Sequence, residues 1–151
     1  MAADQTPQPI FSGRVSHALD SKNRVTIPSR WRQSDSDEFF VMPDATNTYL
    51  RAMPPAQFRA MAEKVANDPA ITPKDRTIFN RYFYSNAVQV FTDKQGRMLV
   101  PEELCGPLEL KGELMFVGVH DTFEVWNKQR WEASATTQLP VFSRVAELAG
   151  L

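Results

Sequence analysis

The sequence is poor in the residues from which disulfide frameworks, metal centres and phosphate loops are built. Cys105 is the single cysteine among 151 residues, so no intrachain disulfide can form, which agrees with a reducing cytoplasm. Its expected role is that of a small core residue rather than a nucleophile. The two histidines, His17 and His120, lie in no His-x-x-x-His or Cys-x-x-Cys spacing, so no metal ligand is expected. His17 alternates with apolar neighbours and reads as a half-buried strand residue. The six glycines are not clustered, and no glycine-rich phosphate loop is present. The longest apolar run, around Leu114 to Val119, is far shorter than the roughly 20 residues of a membrane span. Met1 to Ile10 has neither a basic start nor an apolar stretch, so a flexible leader is expected there rather than a secretory signal. With no convergent set of acids, bases and nucleophiles, the expectation is a protein that is not an enzyme. No catalytic residue, cofactor, small-molecule substrate or membrane partner is expected.

What the sequence does contain, it contains twice. Asp20-Ser21-Lys22-Asn23-Arg24-Val25-Thr26-Ile27-Pro28 returns as Asp93-Lys94-Gln95-Gly96-Arg97-Met98-Leu99-Val100-Pro101, displaced by 73 residues through nine positions. Such a displacement indicates internal duplication. Flanking matches extend it: Phe11 with Tyr84, Val15 with Val88, Trp31 with Leu104. The 42% hydrophobic and 23% charged composition is ordinary for a soluble globular protein, so two intimately packed halves are expected.

Each half reads as strand, turn, strand, short helix, hairpin. Phe11, Gly13, Val15, His17 and Leu19 share one face of an extended segment. Asp20 to Asn23 is a turn, in which Asp bonds the backbone two residues on and Asn tolerates positive φ nearly as well as the Gly96 that replaces it. Val25 and Ile27, like Met98 and Val100, point inward, leaving Arg24, Thr26 and Arg97 outward. Pro28 and Pro101 end the strands and open short helices, over about 28–33 and 101–105. Hairpins follow at Glu38 to Met42 with Asn47 to Met53, and at Glu113 to Gly118 with Thr122 to Trp126. Phe58, Met61, Ala62 and Val65 have helical spacing, and a second helix begins near Pro73, its aromatic residues Phe79, Tyr82 and Phe83 assigned to the core. Asn127 is an N-cap for a short helix through Trp131. Val141, Val145 and Leu148 lie on one face of a terminal helix ending near Gly150, free to pack on its own half or on another subunit.

Each motif Asp is suited to hold its Arg by a charge-assisted bond. On local grounds an internal ion pair and a functional guanidinium remain open for Arg24 and Arg97. Duplication favours the second, because two rigid guanidiniums at strand starts suit phosphates or guanine edges. Net charge is −1, but residues 11–32 hold five basic residues and one acidic residue. Along the chain, Arg14, Lys22, Arg30 and Arg32 flank the first motif, whereas Glu102 and Glu103 follow the second. The first turn is therefore expected to contribute more to a polyanion contact.

The duplicated Asp-x-x-x-Arg with apolar-x-apolar-Pro, the Phe-x-Gly at 11–13, the Val-Gly at 117–118 and the Phe-Glu-Val-Trp at 123–126 resemble the MraZ family of bacterial transcriptional regulators. That family has tandem AbrB-like (SpoVT-AbrB) domains. The resemblance implies a mainly β fold with short helices (α+β), a swapped-hairpin AbrB-like β-barrel formed by two duplicated halves. The implied division is a leader at 1–10, domain 1 at 11–54, a helical connector at 55–82, domain 2 at 83–127 and a C-terminal helical segment at 128–151. It further implies a ring-shaped homo-oligomer in the cytoplasm over the nucleoid, binding direct repeats in double-stranded promoter DNA. There it would repress the division and cell-wall gene cluster, including its own promoter. The DNA contacts implied are Arg24, Lys22, Arg97, Lys94 and Arg14, with Asp20, Asp93, Asn23 and Gly96 orienting the motifs; Asn23 stands where the family usually has Gly. A protein-interaction module of the antitoxin type is the alternative.

Overall fold

In the computed structural model, which describes residues 10–151, each repeat contributes the same succession of elements. In the first, β1 (Arg14–Ala18) turns into β2 (Arg24–Thr26), and a 3-10 turn (Ser29–Trp31) follows Pro28. The hairpin of β3 (Glu38–Pro43) and β4 (Leu50–Met53) then leads into helix α1 (Pro55–Asn67). Helix α2 (Pro73–Asn86) connects to the second repeat, with β5 (Val88–Phe91), β6 (Arg97–Leu99) and α3 (Glu102–Leu108). The hairpin β7 (Glu113–Val119) and β8 (Thr122–Asn127) precedes α4 (Lys128–Leu148). The expected leader, Ile10 apart, lies outside the described residues.

The first strand of each repeat pairs with the hairpin of the other. β1 lies antiparallel to β7, with Val15 opposite Phe116. β5 lies antiparallel to β3, with Val90 opposite Phe39. The hairpins meet through β4 and β8, where Ala52 faces Phe123. The result is one six-stranded sheet in the order β1-β7-β8-β4-β3-β5, and β2 and β6 form a separate two-stranded ladder. The closed barrel expected from the family resemblance is not what these strands make: β1 and β5 are the two edges of an open sheet. The physical reason lies in the turns and prolines. The chain reverses sharply after each edge strand, and Pro28 and Pro101, which have no N–H to donate, end β2 and β6 after three residues.

One core forms between sheet and ladder. Val25, Ile27, Met98 and Val100 from the ladder side meet Phe11, Trp31, Phe39, Phe116 and Phe123, all buried. Trp31 spends its indole N–H on the Ser12 carbonyl at 3.0 Å, so the buried ring carries no unpaired donor. A second cluster joins the helices to the sheet, with Phe58 stacked between Phe40 at 4.2 Å and Phe83 at 4.7 Å. Phe79 and Phe83 do enter this cluster, but Tyr82 does not: it is 62% exposed. The Phe11–Tyr84 match also ends at the level of sequence, since Phe11 is core and Tyr84 is an exposed residue of α2.

Asn127 caps α4, accepting the Arg130 amide at 3.0 Å. The two short helices expected beyond it are one helix of 21 residues that runs through Pro140. Proline removes a single backbone donor there, and the turns on either side retain theirs. Val141, Phe142, Val145 and Leu148 on its distal half are exposed, so the terminal helix does not bury this face on its own chain.

At Gly118 the backbones of the two repeats come into direct contact. The Gly118 amide donates to the Gly13 carbonyl at 2.8 Å, and a Cβ there would lie 2.5 Å from the backbone C of Phe11 and N of Ser12. Since a backbone cannot swing aside like a side chain, Gly118→Ala is expected to destabilise the fold by about 1–3 kcal/mol, read as a lowered denaturation midpoint.

Candidate nucleic-acid interface

Each duplicated turn is built by one carboxylate. In the first, Asp20 Oδ1 accepts the amides of Lys22 at 2.9 Å and Arg24 at 2.8 Å, while Oδ2 accepts Arg24 Nε at 2.9 Å. In the second, Asp93 Oδ1 accepts the amides of Gln95 and Arg97, both at 2.9 Å, and Oδ2 accepts Arg97 Nε at 2.8 Å. The backbone closes identically. Asn23 N donates to Asp20 O and Asp20 N to Arg24 O; Gly96 N donates to Asp93 O and Asp93 N to Arg97 O. This is a tight turn followed by a left-handed bulge residue. Asn23 (φ 58°) and Gly96 (φ 77°) occupy that position, the conformation for which both residue types are suited.

The consequence is a pair of aimed guanidiniums. Nε of each arginine is committed to its own Asp, and among the described residues the Nη atoms of Arg24 and Arg97 have no hydrogen-bond partner. Both arginine side chains are 30% exposed. In the ladder Arg24 stands opposite Leu99, Val25 opposite Met98 and Thr26 opposite Arg97. Val25 and Met98 are buried, so Arg24, Thr26, Arg97 and Leu99 form the outer face of a two-stranded ribbon, with Leu99 54% exposed. Lys22 and Lys94 are exposed in the turns at its two ends. Strand alternation already placed Thr26 outward; the part Leu99 plays on this face emerges only once its partner strand is known.

The other basic residues are distributed differently from their order in the chain. Arg14 begins β1, at the end remote from the Asp20 turn, and lines a groove with Met115, Trp131 and Glu132 beside α4. The structure therefore does not bring it to the ribbon. Arg30 reaches back to the Ser12 carbonyl and lies over the Trp31 ring. Arg32 packs on Gly96, in the second turn. Antiparallel pairing exchanges the neighbourhoods: Ile27 N donates to Gly96 O at 2.9 Å, and Val100 N donates to Asn23 O at 2.8 Å. The segment after β2 thus reaches the second turn, and the acidic start of α3 follows the strand that reaches the first. The basic surroundings assigned to the first turn from chain order are corrected accordingly. Beside Glu102 and Glu103, Cys105 is partly buried against the core, and burial, with those two carboxylates, pushes its thiol pKa up, away from thiolate chemistry. Among the described residues no cluster of His, Cys, Asp or Glu could hold a metal ion, and no helix is long and apolar enough to cross a membrane.

The Arg24 amide, opposed by desolvation and aided by the Lys22 amide and the guanidinium, holds the Asp20 carboxyl below its ordinary 3.8. The Arg97 amide does the same for Asp93. A carboxyl whose folded value is lowered contributes stability that is complete above the ordinary value and is lost as pH falls through the folded one. NMR titration of the two carboxyl carbons should give midpoints below 3.8. In Arg24→Ala the Asp20 value should stay lowered, because the backbone amide remains.

Comparison with known proteins agrees with this duplicated architecture. The family model described as "MraZ protein, putative antitoxin-like" matches residues 10–81 and again residues 83–150. The transcriptional regulator MraZ of Pediococcus pentosaceus is 37% identical over 139 residues, covering 91% of this chain and 95% of that protein. The transcriptional regulator MraZ of Clostridium tetani is 34% identical over 123 residues, 82% of this chain and 85% of the relative. That of Clostridium acetobutylicum is 35% identical over 122 residues, 81% and 84% respectively. The chain, with its two matched halves and its two Asp-clamped arginines, belongs to the MraZ family.

Proposed function

We propose that the protein is a sequence-specific DNA-binding transcriptional regulator that lays the β2–β6 ribbon in the major groove. The observation that carries this reading is the outer face of the ribbon, where two Nε-clamped guanidiniums each present their Nη donors. A major groove about 12 Å wide admits a two-stranded ribbon, and paired Arg donors match O6 and N7 of guanine. Arg24 and the residue opposite Arg97, Thr26, are two positions apart on one strand. This is about 6.6 Å along the ribbon, close to two base-pair steps of about 3.4 Å. Lys22 and Lys94 then meet phosphates on either side, setting position while Arg24 and Arg97 read bases. Asp20, Asp93, Asn23 and Gly96 orient these donors without touching DNA. Arg14 is a phosphate contact only if the duplex extends past the ribbon toward β1.

Family membership supports a finer reading. The protein is a repressor of the division and cell-wall gene cluster and of its own promoter, working in the cytoplasm over the nucleoid. The exchange of first strands between repeats is what a swapped-hairpin duplication would produce. The exposed apolar residues of α4 suit a homo-oligomeric ring, and a ring gathering several ribbons on one duplex gains by effective concentration, which offsets the net charge of −1.

A gel shift with the DNA upstream of its own gene, run at two salt concentrations, tests this. The expected result is a sequence-dependent shift weakened by salt. Arg24→Ala and Arg97→Ala should each lose about 1–3 kcal/mol and relax discrimination at the bases they read. Absence of any salt-sensitive, sequence-dependent shift overturns the reading in favour of a protein-binding, antitoxin-type module.

A further inference from the structure

The two ends of the ribbon differ in one respect that the repeat does not foreshadow. A Cβ built on Gly96 would overlap Nη1 of Arg32 and lie 2.5 Å from its Cδ and 2.6 Å from its Cζ, so the guanidinium lies directly across the second turn. Gly96 is buried beneath it, although the turn on either side, Lys94 and Gln95, is exposed. Among the described residues Arg32 has no ion pair and no side-chain hydrogen bond. Its charge is therefore not neutralised by the protein, and its position is set by packing on a residue that has no side chain. The residue 73 places on is Cys105 (32 + 73 = 105), a partly buried thiol that carries no positive charge. This also accounts for the difference at the bulge position, Asn23 in one turn and Gly96 in the other. Both bulge positions need a left-handed backbone, which Asn23 supplies at φ 58°, but only the second must leave room for a cation from the other repeat.

Resting on the DNA-binding reading above, we propose that Arg32 is a third phosphate-contacting cation of the second turn, delivered by the first repeat. With Lys94 it makes the Gly96 end of the ribbon the stronger backbone anchor. Arg97 is flanked by two cations with no acid of their own turn left unengaged, since Asp93 is spent on Gln95 and Arg97. At the other end the residue equivalent to Arg32 is Cys105, which supplies no charge to accompany Lys22. A contact of this kind carries no sequence information, so its removal has a signature distinct from loss of a base-reading arginine.

The test uses the full-length protein and two fluorescent duplexes of equal length, one from upstream of its own gene and one of random sequence, with anisotropy measured across a range of salt. Arg32→Ala should lower the slope of log K against log salt by about 0.9 for each ribbon engaged and weaken both duplexes by the same factor. Arg32→Lys should restore most of the slope. Gly96→Asn, whose backbone conformation Asn23 already adopts, should displace Arg32 and reproduce the loss, and the double variant should lose no more than either single one. Should Gly96→Asn fail to fold by circular dichroism, the pair Arg32→Ala and Arg32→Lys decides alone. A wild-type slope in Arg32→Ala, with binding intact, overturns the inference and leaves the DNA-binding reading standing. A wild-type protein that binds neither duplex overturns both.

Discussion

The antiparallel pairing of β2 with β6 is the constraint on which the rest of the molecule depends. Three residue pairs, centred on Val25 and Met98, bury one face of the ribbon in the aromatic core and leave the other to solvent. A slip of one residue would reverse that assignment, placing arginines in the core and apolar side chains outside. Ile27 and Val100, both fully buried, guard against the slip from the two ends. The same pairing ties the amide of each strand to the bulge of the other turn, so neither turn is held by its own repeat alone.

Within this frame the carboxylates do most of the local work. An Asp that accepts two backbone amides and one guanidinium nitrogen satisfies the turn's donors and removes one rotational freedom from the arginine. The ion pairs themselves are partly exposed and contribute little to stability. Their value lies in direction: an arginine held through Nε has the orientation of its guanidinium fixed while its Nη donors stay uncommitted. The buried aromatic cluster, and not these pairs, holds the fold together.

Much of this was legible in the residues because it is local. The repeated Asp, the Asn or Gly bulge, the inward Val25, Ile27, Met98 and Val100 and the terminating prolines follow from spacing alone, as do the hairpins and the Asn127 cap. What chain order concealed is what depends on partners distant in sequence. Arg32 lies near Arg24 in the chain and sits at the other turn, and Arg14 belongs to a different surface from the turn it precedes. Tyr82 and Phe83 are neighbours with opposite fates, since helical periodicity identifies a face only when the packed surface is known. The open sheet likewise could not be distinguished from a barrel by motif, because closure depends on whether the edge strands meet.

The exchange of first strands between the repeats has a consequence for how the chain is made. β1 ends at Ala18 and its partner β7 ends at Val119, 101 residues later (119 − 18 = 101). At synthesis rates of about 5–20 residues per second, β1 waits roughly 5–20 s for its partner to emerge. During that interval the nascent first repeat offers unpaired strand edges to other chains. The ribosome thus delivers half a sheet before the half that completes it, and folding to the native state is a post-midpoint event rather than a domain-by-domain one.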